Sequence, residues 1–258
     1  MKYHKIKALI YRDFKILTRA KWRIAETIYF PITTIIIWGF FALYSKEIAI
    51  QAGLIVLTVN IFWNFAYIAQ STANMQIMED LWAGSLKQLF LSGITEFEYI
   101  IARLFTATIM SVLVMAIILG IATVFIPGIL AKPFSIFVLA LITLLGSLAL
   151  SVIIAAINIS AGREYGFLAW TALQLFILLS APFNPVSLFP KFMQYIAYIM
   201  PFTFIFESAR SLVINGTIDN FVLFKSFIVV SIYFLISWPI YHLSFKRARR
   251  TGMLAKVA

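Results

Sequence analysis

The chain has 258 residues; 62% are hydrophobic, only 12% are charged, the mean hydropathy is +0.97 and the formal net charge is +11. A soluble domain carries about twice that share of charge, and the absence of cysteine excludes disulfides, thiolate metal sites and a cysteine nucleophile. The basic clusters abut apolar runs, where they suit anionic headgroups at about 1 kcal/mol each, and no soluble module remains to hold a nucleic acid.

The head, residues 1–23, carries Lys2, Lys5, Lys7, Arg12, Lys15, Arg19, Lys21 and Arg23. Ile6, Leu9, Ile10, Phe14 and Leu17 recur at helical spacing, with Lys5, Arg12, Lys15 and Arg19 opposite. This pattern predicts an amphipathic helix in the membrane interface, with Trp22 at headgroup level. Basic head and apolar continuation are both too long for a cleaved signal peptide, and no small-x-small site follows at 43–46.

Six apolar runs come next, at 24–44, 49–72, 100–126, 134–158, 165–182 and 220–244. Most reach the ~20 residues that a helix needs to cross the hydrocarbon. An even number of crossings brings the basic tail back beside the basic head, and the positive-inside rule makes both termini cytoplasmic. Of the 21 lysines and arginines, this topology leaves only Lys46, Lys132, Lys191, Arg210 and Lys225 outside. Pro31 and Pro239 fall inside the first and sixth runs and predict kinks or bends there. Gly146, Ser147, Ala149, Ser151 and Ala155 give the fourth run a small-residue face for close helix packing.

Few ionisable groups lie inside the runs. Glu26, Arg103 and Lys225 sit near span ends, within reach of the interface. No carboxylate stands near a bilayer centre, which argues against proton- or sodium-driven transport. Asn60 and Asn64 share one helical face of the second run; they either bond neighbouring helices or face a translocation path. Thr33, Thr34, Ser111, Ser147, Ser151 and Gln174 offer further interhelical hydrogen bonds. His4 and His242 have no motif partners, no phosphate-binding glycine loop is present, and no catalytic or metal-ligating constellation is formed.

Two linking segments are distinctive. Between the second and third runs, Leu81, Ser85, Leu86 and Leu89 sit at helical spacing and Gly93 suits a helix stop. Thr95 is placed to cap the next helix, with Glu96 and Glu98 in its first turn. A short amphipathic helix on the cytoplasmic face is therefore expected within 75–98, either as a simple linker or as a dock for a soluble partner. Between the fifth and sixth runs, 183–216 is too apolar for a solvated loop and is broken by Pro185, Pro190 and Pro201, just after Pro182. Glu207 and Arg210 are spaced for an ion pair. Broken apolar helices at membrane depth are tolerated inside protein or along a cavity, so a re-entrant helix pair on the outer side is predicted. The whole chain, 1–258, then reads as a single all-α membrane domain: six transmembrane helices, an N-terminal interfacial amphipathic helix and a re-entrant helix pair.

On these residues the chain resembles the membrane subunit of an ABC type-2 transporter, usually an exporter. Glu79, Gly84-Ser85-Leu86, Leu89, Ser92-Gly93-Ile94-Thr95 and Glu98 resemble that family's coupling-helix segment, with Gly93 where proline is usual. Ser180, Phe183, Pro185-Val186 and Pro190 resemble the stretch after the fifth span in the drug-exporter branch. Pro201-Phe202-Thr203, Glu207 and Arg210 resemble a third family run, with Met200 where asparagine is common.

The resemblance implies two such subunits, as a homodimer or half of a heterodimer, docked in the cell membrane on two copies of a separate ATPase. ATP and magnesium would be held by that ATPase and no cofactor by this chain. Glu79, Asp80, Leu81, Gly84, Leu86 and Leu89 would seat on the ATPase, the leucines divided between partner and neighbouring helices and the two carboxylates offered to the rim. Pro185, Pro190, Pro201, Glu207 and Arg210 would form the outer gate. Trp38, Asn60, Trp63, Asn64 and Trp170 would border the path, although lipid-facing packing also accounts for the tryptophans. An amphiphile, drug or lipid, is the expected cargo; a polysaccharide or glycolipid is the alternative, and a non-transporting assembly protein is the reading from another class.

Overall fold

The computed structural model describes residues 3–45, 50–126 and 128–252, without the side chains of Trp22, Arg23, Ile24, Glu26, Ile50, Ile129 and Arg163. The expectations for Lys2, Trp22, Glu26, Lys46 and the end of the basic tail lie outside that set. Among the described residues all regular structure is helical: α1 (Tyr3–Arg19), α2 (Lys21–Ser45), α3 (Ile50–Trp82), α4 (Ser85–Leu91), α5 (Glu96–Phe125), α6 (Pro133–Ala161), α7 (Leu168–Leu179), α8 (Lys191–Ile199), α9 (Thr203–Ile214) and α10 (Asn220–Thr251).

Five of these, α2, α3, α5, α6 and α10, are long and apolar enough to span a membrane, and α8 and α9 form a pair bent by 95°. Counting the bent pair as one span would make six. The fifth expected run, 165–182, forms a short helical turn at Arg163–Phe167 and then α7, which has 12 residues. Even taken together, Glu164–Leu179 spans only about 24 Å at 1.5 Å per residue. Pro31 and Pro239 lie within unbroken helices.

The second run is longer than expected. Instead of ending at 72, α3 runs unbroken for 33 residues, from Ile50 to Trp82. Only α4, with 7 residues, stands as the separate short helix of the expected linker. Its exit is built as the sequence implies. Gly93 takes φ +80°, and Thr95 forms a reciprocal cap with Glu98: the Glu98 N–H donates to Thr95 Oγ1 at 3.3 Å, and the Thr95 N–H donates to Glu98 Oε2 at 3.1 Å.

α6 packs most extensively on α10, and its small-residue face explains how. A Cβ at Gly146 would lie 3.3 Å from Val230 and 3.5 Å from the Phe202 ring, so a larger side chain would push both away. Ser147 and Ser151 do not bond across helices. Their hydroxyls donate to Thr143 O and Ser147 O of their own helix, each at 2.8 Å.

The main core lies among α2, α3, α5, α6, α7, α9 and α10. A second cluster sits at the end of the bundle that holds α4, the start of α5 and the last turns of α10, around Ile77, Leu86, Tyr99 and Phe245. α1 joins that end. Its apolar side, Ile6 and Leu9, packs on Ala102 of α5, so the amphipathic helix leans on the bundle as well as presenting its basic side outward.

Candidate functional site

The hairpin of α3, α4 and α5 is held by a buried charge cluster. Asp80, in the last turn of α3, accepts from Ser85 Oγ at 2.9 Å, Tyr99 Oη at 2.8 Å and Arg12 Nη2 at 3.0 Å. It also accepts from Arg103 Nη2. The other guanidinium nitrogen of Arg103 donates to Asp13 of α1, and the Tyr99 ring lies 4.6 Å from the Arg103 guanidinium carbon. Arg103 is 0% exposed, Asp13 2% and Asp80 5%. Charges this deep are tolerated only when paired and hydrogen-bonded; two carboxylates and two guanidiniums balance. Burial pushes the Asp13 carboxyl up from its ordinary range, and the guanidiniums of Arg103 and Arg12 pull the other way.

This arrangement corrects two expectations. Arg103 does not reach for the interface; it turns inward because two carboxylates from different helices meet it there. Asp80 does not offer its charge to a partner's rim; its four donors belong to this chain. Asp13 was not singled out from the sequence, yet it falls in phase with Ile6, Leu9 and Leu17, the buried side of α1. An acid on the apolar stripe of an amphipathic helix was the available signal.

The cluster fixes α4. Ser85, its first residue, is tied to Asp80 across Gly84, which takes φ +65° and so turns the chain where an L side chain would be strained. At the other end the Lys5 ammonium donates to Gly93 O. Leu86 is 1% exposed and Leu81 8%, both packed inward, so neither is an anchor on the outer surface. Leu89 is half-buried between α1 and the second core cluster. Glu79 is half-buried, while Lys87, Gln88 and Leu91 face outward, Leu91 at 76% exposure.

The residues expected along a path fall into two groups. Trp38 and Trp63 both pack on Phe183, with ring centroids 5.8 Å away in each case. Asn64 Nδ2 donates to Asn60 Oδ1 at 2.8 Å, and Thr34 of α2 donates to Asn64 Oδ1 at 3.2 Å. Both asparagines are therefore buried and joined to the neighbouring helix. Trp170 lies near the α4 end instead, 6.1 Å from Trp82.

At the opposite end Arg210 of α9 reaches into the bend after α7. Its Nη1 donates to Ala181 O and Pro182 O, each at 2.9 Å, where the carbonyls of a helix C-terminus attract positive charge. Ala181 takes φ +50° in that bend. The expected partner, Glu207, stands 3.9 Å from Arg210 Nη2, so the carbonyl contacts are the closer ones. Pro201 is buried; Pro185 and Pro190 are exposed.

Another polar set has no motif in the sequence. Gln70 and Ser71, at the end of the expected second run, and Asn74 and Gln76, on the part of α3 beyond it, are all buried. Gln70 Nε2 donates to Ala169 O at 3.1 Å, tying α3 to α7. Polar residues following an apolar run read as its end, which leaves Asn74 and Gln76 outside the second run.

A helical, multi-pass membrane protein with one short helix clamped across the end of its bundle is what these elements define. The chain belongs to the ABC-2 type transporter family, whose model matches residues 4–214, from α1 through α9. It is a membrane permease domain of that family and has no ATPase of its own; ABC-2 permeases typically pair with an ABC ATPase that binds the ATP. A comparison with curated proteins found no match.

Proposed function

We propose that this permease exports an amphiphilic compound, a drug or a lipid, and that a separate ATPase docks on the outward side of α4. Both termini are cytoplasmic in this reading, residues 1–258 act as one domain, and two permease chains pair. The clamping of α4 carries the proposal. Its inner side is tied through Ser85, Asp80 and Arg103 to three other helices, while Lys87, Gln88 and Leu91 face outward. A short helix held this way passes an applied push into α3, α5 and α1 rather than yielding to it.

Cargo would pass along α2, α3 and α7, by Trp170 and then Trp63, Trp38 and the Asn60–Asn64 pair. The bend held by Arg210, with Pro185, Pro190, Pro201 and Glu207 around it, would gate the exit. The rings of Trp38, Phe183 and Trp63 offer an apolar surface suited to an amphiphile.

Leu91 gives the direct test, because its substitution spares the core; an aspartate at Leu86 would strike the core instead. In the purified permease–ATPase complex, Leu91→Asp should weaken ATPase binding about tenfold to thirtyfold, the range of an exposed apolar anchor worth 1.4–2 kcal/mol, and leave permease stability unchanged. Unaltered ATPase affinity and unaltered coupled transport would remove α4 from the docking surface.

A further inference from the structure

A cavity of about 260 Å³ opens between α1, α2, α3, α5 and α7, walled by Phe30, Tyr67, Met75, Met110 and Trp170, with Gln76 beside them. Phe30 is 62% exposed and Trp170 38%, so the mouth lies on the flank of the bundle. Leu17 of α1 and Gln76 also border a second cavity of about 470 Å³, which reaches the Arg12, Asp13 and Asp80 cluster. Gln76 thus stands between an uncharged chamber, which Thr27, Ser71 and Thr72 also line, and a charged one. It is 6% exposed, and neither its Nε2 nor its Oε1 has a hydrogen-bond partner. Its neighbours are orphaned at the oxygen alone: Gln70 and Asn74 donate their amide hydrogens to Ala169 O and Gln70 O. A buried amide with no partner at either atom is costly in a folded chain. Apolar side chains would fill the same wall without that cost.

We propose that this cavity receives the exported compound and that Gln76 selects it. The ligand is a neutral amphiphile whose polar group both donates and accepts a hydrogen bond, as a carboxamide or hydroxyl does. This rests on the exporter reading above and names its cargo. A glutamine amide presents a donor and an acceptor side by side; both atoms are covered in the empty site, so the amide turns toward the chamber to meet a group that satisfies both at once. The described lining of the chamber carries no charged side chain. A charged head would therefore lose its hydration without gaining a counter-ion there, and the neighbouring cluster has already paired its own charges. The methionines and aromatic rings supply an adaptable apolar wall for the body of the molecule. A chamber of this size holds a ring or the first carbons of a chain, and the open mouth leaves the remainder in the lipid.

The test uses the permease–ATPase complex in nanodiscs and a fluorescent long-chain primary amide, with its carboxylate and trimethylammonium analogues of equal chain length. Wild type should bind the amide about tenfold more tightly than either charged analogue. Gln76→Met, close in volume and apolar, should weaken amide binding about threefold to tenfold, the worth of a hydrogen bond or two. It should leave the charged analogues unaffected and raise thermal stability, because an orphaned amide has been removed. Equal affinity for all three probes, an unchanged amide affinity in Gln76→Met, or a loss of stability on that substitution would each overturn the proposal. The two readings fail separately. If the amide binds through Gln76 but ATP does not move it, the exporter reading falls and the site stands. If Gln76→Met moves the amide at the wild-type rate with wild-type affinity, the site falls and export stands.

Discussion

Replacing Arg103 by methionine is the sharpest probe of the buried cluster. Arg103 is wholly enclosed, and its two terminal nitrogens each hold a different carboxylate, Asp13 on α1 and Asp80 on α3. Without it, Arg12 is the cation left to the two carboxylates among the described residues; its side chain is 29% exposed and reaches Asp13 at 3.4 Å. Removing one partner from a buried ion pair costs about 3–5 kcal/mol, which is roughly a hundredfold to several thousandfold in the folded-to-unfolded ratio. The cost comes from the stranded charges rather than from lost attraction. The triple variant Asp13→Asn, Asp80→Asn, Arg103→Met should therefore regain most of it, with Ser85 and Tyr99 still able to donate to the amide at position 80. Unfolding by sodium dodecyl sulfate in mixed micelles, followed by tryptophan emission, measures both variants. A single Arg103→Met that unfolds at the wild-type detergent fraction would refute the reasoning, as would a triple variant no more stable than the single one. ATPase coupling should follow the same order, lowest in the single variant, if the cluster is what stiffens α4.

Arg210→Ala strips two charge-assisted hydrogen bonds from the bend after α7, at about 1.5–3 kcal/mol, and should loosen Phe183 from Trp38 and Trp63; wild-type stability and tryptophan emission would contradict this. Gly53→Ala should part the far ends of α2 and α3, because the new Cβ would stand 2.8 Å from the Ala42 Cα, and backbone cannot turn aside as a side chain can. The expected loss is about 1–3 kcal/mol, and thermal unfolding in detergent would show it.

Much of the architecture was legible because it follows from local rules. Thr95 and Glu98 announce a cap by their spacing, Gly93 a helix stop, and the small face of α6 a tight crossing. The amphipathic head was readable for the same reason. The errors arose where a residue's meaning depends on a distant one. Arg103 near a span end is equally compatible with reaching water and with turning inward, and only the approach of Asp13 and Asp80 from other helices decides. Leu86 and Leu91 occupy one short helix, yet the packing of α5 and α10 determines which faces inward. The Glu207–Arg210 pair is present as the spacing implies, but the closer carbonyls, 28 and 29 residues before Arg210, have no local signal. The end of α3 is not legible because Asn74 and Gln76 look like a surface when the helices around them are unseen.

The unbroken length of α3 has a mechanical consequence. Its 33 residues make a rod about 50 Å long, against roughly 30 Å of hydrocarbon. Asn64, bonded to Thr34 of α2, gives the rod a pivot inside the bundle. Asp80 lies about 24 Å farther along it, with no break between them. Tilting the rod about 10° on that fulcrum swings Asp80 sideways through about 4 Å. The same swing carries the Ser85 end of α4 with it and, on the other arm, shifts Trp63's neighbours toward Gly53 in the opposite sense. A lever of this kind converts a small displacement at one membrane face into a matched, reversed displacement at the other.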